Sequence, residues 1–178
     1  SHLMKDLPIN GVPKSLKNTV FTFDYNDFSS LKKLVRQNKI GVIKMEVKRN
    51  FEPQNNFLKK VRKLATQNNI VLIFDECTSG FRQTNGGLHK FYNVEPDIAI
   101  FGKALGNGYA INAIIGRKSV MECAKRSFIS STFWTERIGS AAALETLDIM
   151  EKDQSWYQIT SLGKKIKKQW YDLSRSHK

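Results

Sequence analysis

The sequence predicts an α/β fold, a mostly parallel sheet flanked by helices. Two observations carry this. From residue 19 to 74, β-rich and helix-periodic stretches alternate, the order that builds parallel strands through crossover helices. Residues 70–74 read IVLIF, a continuous apolar run expected of a strand covered on both faces.

The elements follow in order. Residues 5–18 hold Pro8, Gly11 and Pro13 and read as loop. TVFTF (19–23) is rich in β-formers and predicts a short strand. Asp27 can cap a helix that places Phe28, Leu31, Leu34 and Val35 on one face. GVIKMEV (41–47) predicts the next strand. Pro53 and Asn55 introduce a helix with Phe57, Leu58, Val61, Leu64 and Ala65 at the helical period. After IVLIF comes a loop rich in Gly, Thr and Asn, then two further strands, IAIFG (98–102) and INAIIG (111–116). From Glu136 the pattern turns helical, beginning with Ala141, Leu144 and Leu147. A second helix carries Trp156, Ile159, Leu162, Ile166, Trp170 and Leu173 on one stripe.

At 178 residues the chain is long enough to bury a real core as one domain. Its first four residues, Ser1-His2-Leu3-Met4, look like an expression-vector scar. No apolar run approaches the roughly 20 residues needed to span a bilayer, and no signal peptide is visible. Two cysteines, Cys77 and Cys123, form no disulfide framework and suggest a reducing, cytoplasmic setting. The net charge of +13 raises the question of nucleic acid. The densest clusters, Lys59-Lys60-x-Arg62-Lys63 and Lys164-Lys165-x-Lys167-Lys168, flank apolar positions of helical patterns and read as solvated helix faces. Neither a nucleic-acid nor a membrane partner is expected.

Two segments carry chemistry. IVLIFDECTSGFR puts Asp75 and Glu76 at the carboxyl end of an apolar strand, where open α/β sheets bind ligands. A carboxylate there is costly without a positive partner; alone it could cap a loop or pair with Arg82. Lys103 leaves the end of the next strand, among Gly102, Gly106 and Gly108. Adjacent parallel strands would bring Asp75 and Lys103 to one sheet edge. Glycines let a bulky planar ligand approach the backbone. A lone loop lysine would ordinarily be solvated surface. An amine, an acid and glycines together suit pyridoxal 5'-phosphate, which needs a lysine for a Schiff base and a carboxylate for its pyridine nitrogen.

With these motifs the chain resembles the class III pyridoxal-phosphate-dependent aminotransferases of fold type I, and within them the glutamate-1-semialdehyde 2,1-aminomutase-like branch. IVLIFDECTSGFR, PDIAIFGKALGNGYAINAIIGR and STFWTERIGSAAALETL match the family's segments, and the likeness runs from about residue 11 to about 170. The resemblance implies part of a fold-type-I large domain over residues 5–151. Residues 152–178 would form a long helix leading toward a small domain. It implies that Lys103 is the Schiff-base lysine and the general base. Asp75 would be the partner of the ring nitrogen, Cys77 would lie against one ring face, and Thr78 near the ring hydroxyl. Thr132 would bind the cofactor phosphate of the neighbouring subunit in a homodimer. The strand at 111–116 would run antiparallel.

Departures from the family pattern accompany the likeness. The family's glycine-rich phosphate cup would precede this chain and its small domain would follow it, so a central fragment, inactive alone, is expected. Trp134-Thr135-Glu136-Arg137 replaces the Ser-Gly-Asn-Pro of true aminomutases, wording closer to aminotransferases acting on sugars or polysaccharide precursors. Glu46 matches a family position near the cofactor, but Val47 stands in place of the proline that follows it, so Glu46 is left out of the site. The expected parent activity is amino-group transfer between a small-molecule amino donor and a carbonyl acceptor. The isomerase reaction of an aminomutase is the alternative, and a non-catalytic, self-associating fragment is the rival of another class.

Overall fold

The computed structural model describes residues 10–133 and 135–176. The proposed scar at residues 1–4, and Trp134, lie outside them. Helix α1 (Phe28–Gln37) leads to strand β1 (Val42–Glu46), α2 (Phe57–Gln67), β2 (Val71–Asp75) and β3 (Ile98–Phe101). Strand β4 (Ala113–Gly116), the short α3 (Lys118–Met121), α4 (Ile138–Asp153) and α5 (Ser155–Ser176) follow. The sheet order is β1-β2-β3-β4. β1, β2 and β3 pair in parallel, and β4 pairs with β3 in the antiparallel sense the resemblance implied.

The register places Glu46 beside Asp75 and Asp75 beside Ile100. The carboxyl ends of the three parallel strands therefore share one edge. On one sheet face Ile43, Met45, Leu72 and Phe74 are buried with Leu31 of α1 and with Phe57, Leu58, Val61, Leu64 and Ala65 of α2. Those five α2 residues are the ones its helical period predicts. Ala99 and Phe101 of β3 pack with Leu105 and with Ala143 of α4 in a second cluster. The opposite positions, Val71, Ile73, Ile98 and Ile100, are only half-buried. IVLIF is thus fully covered on one face rather than two, because α1, α2 and α4 all contribute to the clusters on the Leu72–Phe101 side.

Asp97 fastens the layers. Its Oδ2 accepts from the Leu72 backbone N–H at 2.8 Å and from the Arg62 guanidinium of α2 at 2.7 Å. Arg117, just past β4, approaches Oδ1 at 3.4 Å. One carboxylate so joins α2, β2 and both edges of the β3–β4 hairpin. Asp27 caps α1 as expected, accepting from the Ser30 N–H at 3.0 Å.

Two further expectations are corrected. TVFTF (19–23) forms no strand: β-propensity needs a partner edge, and β1, the nearest edge strand in the chain, pairs only with β2. In α4 the buried positions are Gly139, Ala143 and Met150. Ala141 and Leu144 are exposed, and Leu147 is partly buried against the second cluster. Gly139 sets this register, since a Cβ there would stand 2.8 Å from the Ala110 carbonyl oxygen. The α5 helix forms as its stripe predicts, and none of its residues is buried.

Candidate functional site

The site lies at the carboxyl edge of β2 and β3. Glu76 N–H donates to the Ile100 carbonyl at 2.8 Å, which carries the β2–β3 ladder into the loop and fixes where the next residues emerge. The neighbouring acids then take different roles. Glu76 is fully buried. Its Oε1 accepts from the backbone N–H of His89 and contacts the ring Nδ1, both at 2.9 Å, and the Ser79 hydroxyl donates to Oε2. Burial pushes the Glu76 carboxyl up, but these donors outweigh it and hold the group below its ordinary value. Glu76 is therefore an internal clasp that ties the loop after β2 to the turn at Leu88–Tyr92.

Asp75 points to the other side and stays about a quarter exposed. Its Oδ1 accepts from the Cys77 N–H at 3.2 Å, and Lys44 of β1 pairs with Oδ2 at 2.9 Å. Partial burial raises its pKa, yet the Lys44 ammonium and the Cys77 N–H outweigh it, and the carboxyl is held low. Arg82, the partner considered from the sequence, instead donates its Nε to the Thr78 carbonyl at 2.7 Å.

Lys103 follows Gly102 at the end of β3. Its Nζ donates to the Thr78 hydroxyl at 2.7 Å, and no carboxylate pairs with it among the described residues. Its φ of 46° is in the left-handed region that non-glycine residues seldom occupy. A Cβ at Gly102 would meet the Asn112 amide oxygen at 2.4 Å, so that side chain would have to move, and the Cys77 sulfur at 3.5 Å. Those contacts place Cys77 against the start of the lysine turn. Burial and the Asp75 carboxylate push the Cys77 thiol up, with Lys103 and Lys44 opposing more weakly, so the sulfur is a neutral thiol at ordinary pH. A cavity of about 1070 Å³ opens between the lysine turn and α4, with Lys103, Tyr109, Glu145 and Ile149 in its walls. Asp75, Cys77 and Thr78 do not line it, so it meets the site only at Lys103.

The Aminotransferase class-III family model matches residues 50–178. The chain belongs to this family. It is 39% identical over 168 residues to a 3-aminobutyryl-CoA aminotransferase of Cloacimonas acidaminovorans, covering 88% of this chain and 40% of that protein. It is 36% identical over 151 residues to the glutamate-1-semialdehyde 2,1-aminomutase of Sulfolobus acidocaldarius, covering 81% of this chain and 36% of that one. Among solved structures, the PLP internal aldimine form of the FumI protein of Sphingopyxis sp. MTA144 superposes with a TM-score of 0.75 at 28% identity, covering 79% of this chain and 36% of that chain. The ornithine aminotransferase of Plasmodium falciparum gives 0.67 at 26% identity, covering 74% and 36%. The chain thus spans about two fifths of the length of these relatives.

In this class-III aminotransferase chain, four of the residues singled out from sequence come together: Asp75, Cys77, Thr78 and Lys103. Thr132 is exposed and shares no hydrogen bond with that edge. The cysteines are both free, as expected. Lys44 was missed. Its signal was faint but present: a lysine at an outward position of a β-strand that pairs with the strand carrying Asp75. The Glu76–His89 clasp was also missed, because it joins residues across an irregular loop. The residues at this edge fit a pyridoxal-type group, since Lys103 is accessible and unpaired by acid among the described residues, while Asp75 is held as an anion.

Proposed function

We infer that this chain supplies part of the cofactor site of a pyridoxal-phosphate enzyme that moves amino groups between small molecules. One observation carries the reading: Asp75 and Lys103 leave adjacent parallel strands at the same edge, bridged by Thr78 and Cys77. When bound, the cofactor supplies an electron sink for negative charge developing on a substrate carbon. The chain's own residues account for the rest. The ionised Asp75 carboxylate would hold the cofactor's positive ring nitrogen. Thr78 fixes where the Lys103 amine points. Lys103 takes and returns the proton at the substrate carbon as general base. Cys77 offers a neutral, polarisable surface beside Gly102. Thr132 binds the cofactor phosphate of a neighbouring protomer, in a cytoplasmic homodimer.

The similarity to glutamate-1-semialdehyde aminomutases at 31–36% identity supports a second reading, internal transfer of an amino group within one molecule, by the same residues. The test for both is an absorbance titration of the chain with pyridoxal phosphate. Asp75→Ala is expected to weaken uptake about tenfold or more, the cost of removing a charged hydrogen-bond partner. Equal uptake by wild type and Asp75→Ala would remove Asp75 from the site.

A further inference from the structure

A second cavity, of about 500 Å³, lies on the far side of Thr78, between the loop after β1, the loop after β2 and α5. Its wall carries five cations, Lys48, Arg49, Arg82, Lys164 and Lys167, against one acid, Glu52. Glu52 is already engaged, by Lys48 and by the Tyr92 hydroxyl at 2.8 Å. Arg49 pairs with Glu46 at 3.3 Å. Arg82 and Lys164 have no carboxylate partner among the described residues, and Lys167 acts only at longer range on the engaged Glu52. Two uncharged features point the same way. Thr160 lines the cavity, and its hydroxyl oxygen is buried without a hydrogen-bond partner. Gly163, mid-helix on the same wall, has nothing within 4 Å of where a Cβ would stand, so the helix leaves the cavity open there.

We propose that this cavity binds the phosphate or diphosphate group of a small-molecule ligand. Five cations against one engaged acid, with an idle hydroxyl beside them, match a group bearing several charged oxygens, whereas a single carboxylate would leave most of the positive charge unanswered. Thr78 links the cavity to the reactive edge, because its hydroxyl accepts from Lys103. A ligand anchored by its phosphate would therefore extend its remaining atoms toward that amine. Calling the ligand a substrate rests on the function inferred above; the anion site itself does not.

The probe is inorganic diphosphate, titrated calorimetrically into the whole chain at low salt. Wild type is expected to bind. Lys164→Gln with Lys167→Gln is expected to weaken binding at least about tenfold, the loss of two charge-assisted contacts. Lys59→Gln with Lys63→Gln removes the same charge from the exposed face of α2, away from the cavity, and is expected to leave the affinity within about twofold. No binding by wild type would overturn the proposal. So would equal loss in both double variants, which would mean general attraction to a chain of net charge +13. A second arm separates the two possible sources of phosphate. Borohydride trapping of pyridoxal phosphate at Lys103 is expected to be unaffected by the α5 double variant. If trapping falls with diphosphate binding, the cavity holds the cofactor's own phosphate and the assignment to a second ligand is wrong. If diphosphate binding shows the selective loss while Lys103 is never trapped in wild type, the anion site stands and the cofactor reading falls.

Discussion

At Asp97 a buried carboxylate answers donors from α2, from β2 and from the end of β4. Asp97→Asn keeps the shape but leaves Arg62 without its counter-charge. The expected cost is about 2 kcal/mol, read as a lower urea midpoint at neutral pH. Burial pushes the Asp97 carboxyl up, but the Leu72 N–H, Arg62 and Arg117 outweigh it, so the folded pKa is depressed. A depressed carboxyl stabilises fully above the ordinary aspartate value near 3.9, and that stability is lost as pH falls through the lower folded value. Wild type and Asp97→Asn should therefore differ most at neutral pH and converge in acid. At Asp75 the ion pair is half-exposed and adds little stability, but it sets the charge of the site. Lys44→Met is expected to raise the Asp75 pKa, measured by carboxyl ¹³C titration; an unchanged value would mean the pair does not form in solution. Asp75 and Lys103 were legible in the sequence because each ends an apolar strand and stands among small residues. Lys44 was not, because its role depends on the β1–β2 register, and an outward strand lysine otherwise reads as solvent-facing.

The elements that were legible are those whose own pattern decides their burial. Helix α2 shows this best: its five apolar positions are all buried, and Phe57, 1% exposed, meets the Tyr25 ring edge-on at 5.1 Å. The Tyr25 hydroxyl in turn donates to the Val47 carbonyl, so the helix start holds the chain before α1 against the end of β1. Phe57→Ala is expected to cost about 3–5 kcal/mol by opening a cavity under both, seen as a large drop in denaturation midpoint. A cost below 1 kcal/mol would mean that this corner is loosely packed. Elements whose state depends on partners elsewhere were less legible. TVFTF has strand composition but no strand. The burial register of α4 turns on Gly139 rather than on its larger apolar residues, which follow a different stripe.

For the molecule as a whole, the unspent apolar surface is concentrated late in the chain. Leu144 of α4 and Leu162, Ile166, Trp170 and Leu173 of α5 are each 45–75% exposed. Contiguous patches of this kind drive association, and light scattering is expected to show concentration-dependent self-association; a clean monomer at high concentration would count against it. The lysine chemistry of the site does not depend on the assembly. The Asp75–Lys103 edge is expected to select one lysine out of a strongly basic chain for reaction with pyridoxal phosphate. The direct measurement is borohydride reduction of the chain with added pyridoxal phosphate, followed by peptide mapping of wild type and Lys103→Ala. Label is expected to concentrate on Lys103 in wild type and to be lost in the variant. Label spread alike over the surface lysines of both proteins would contradict it.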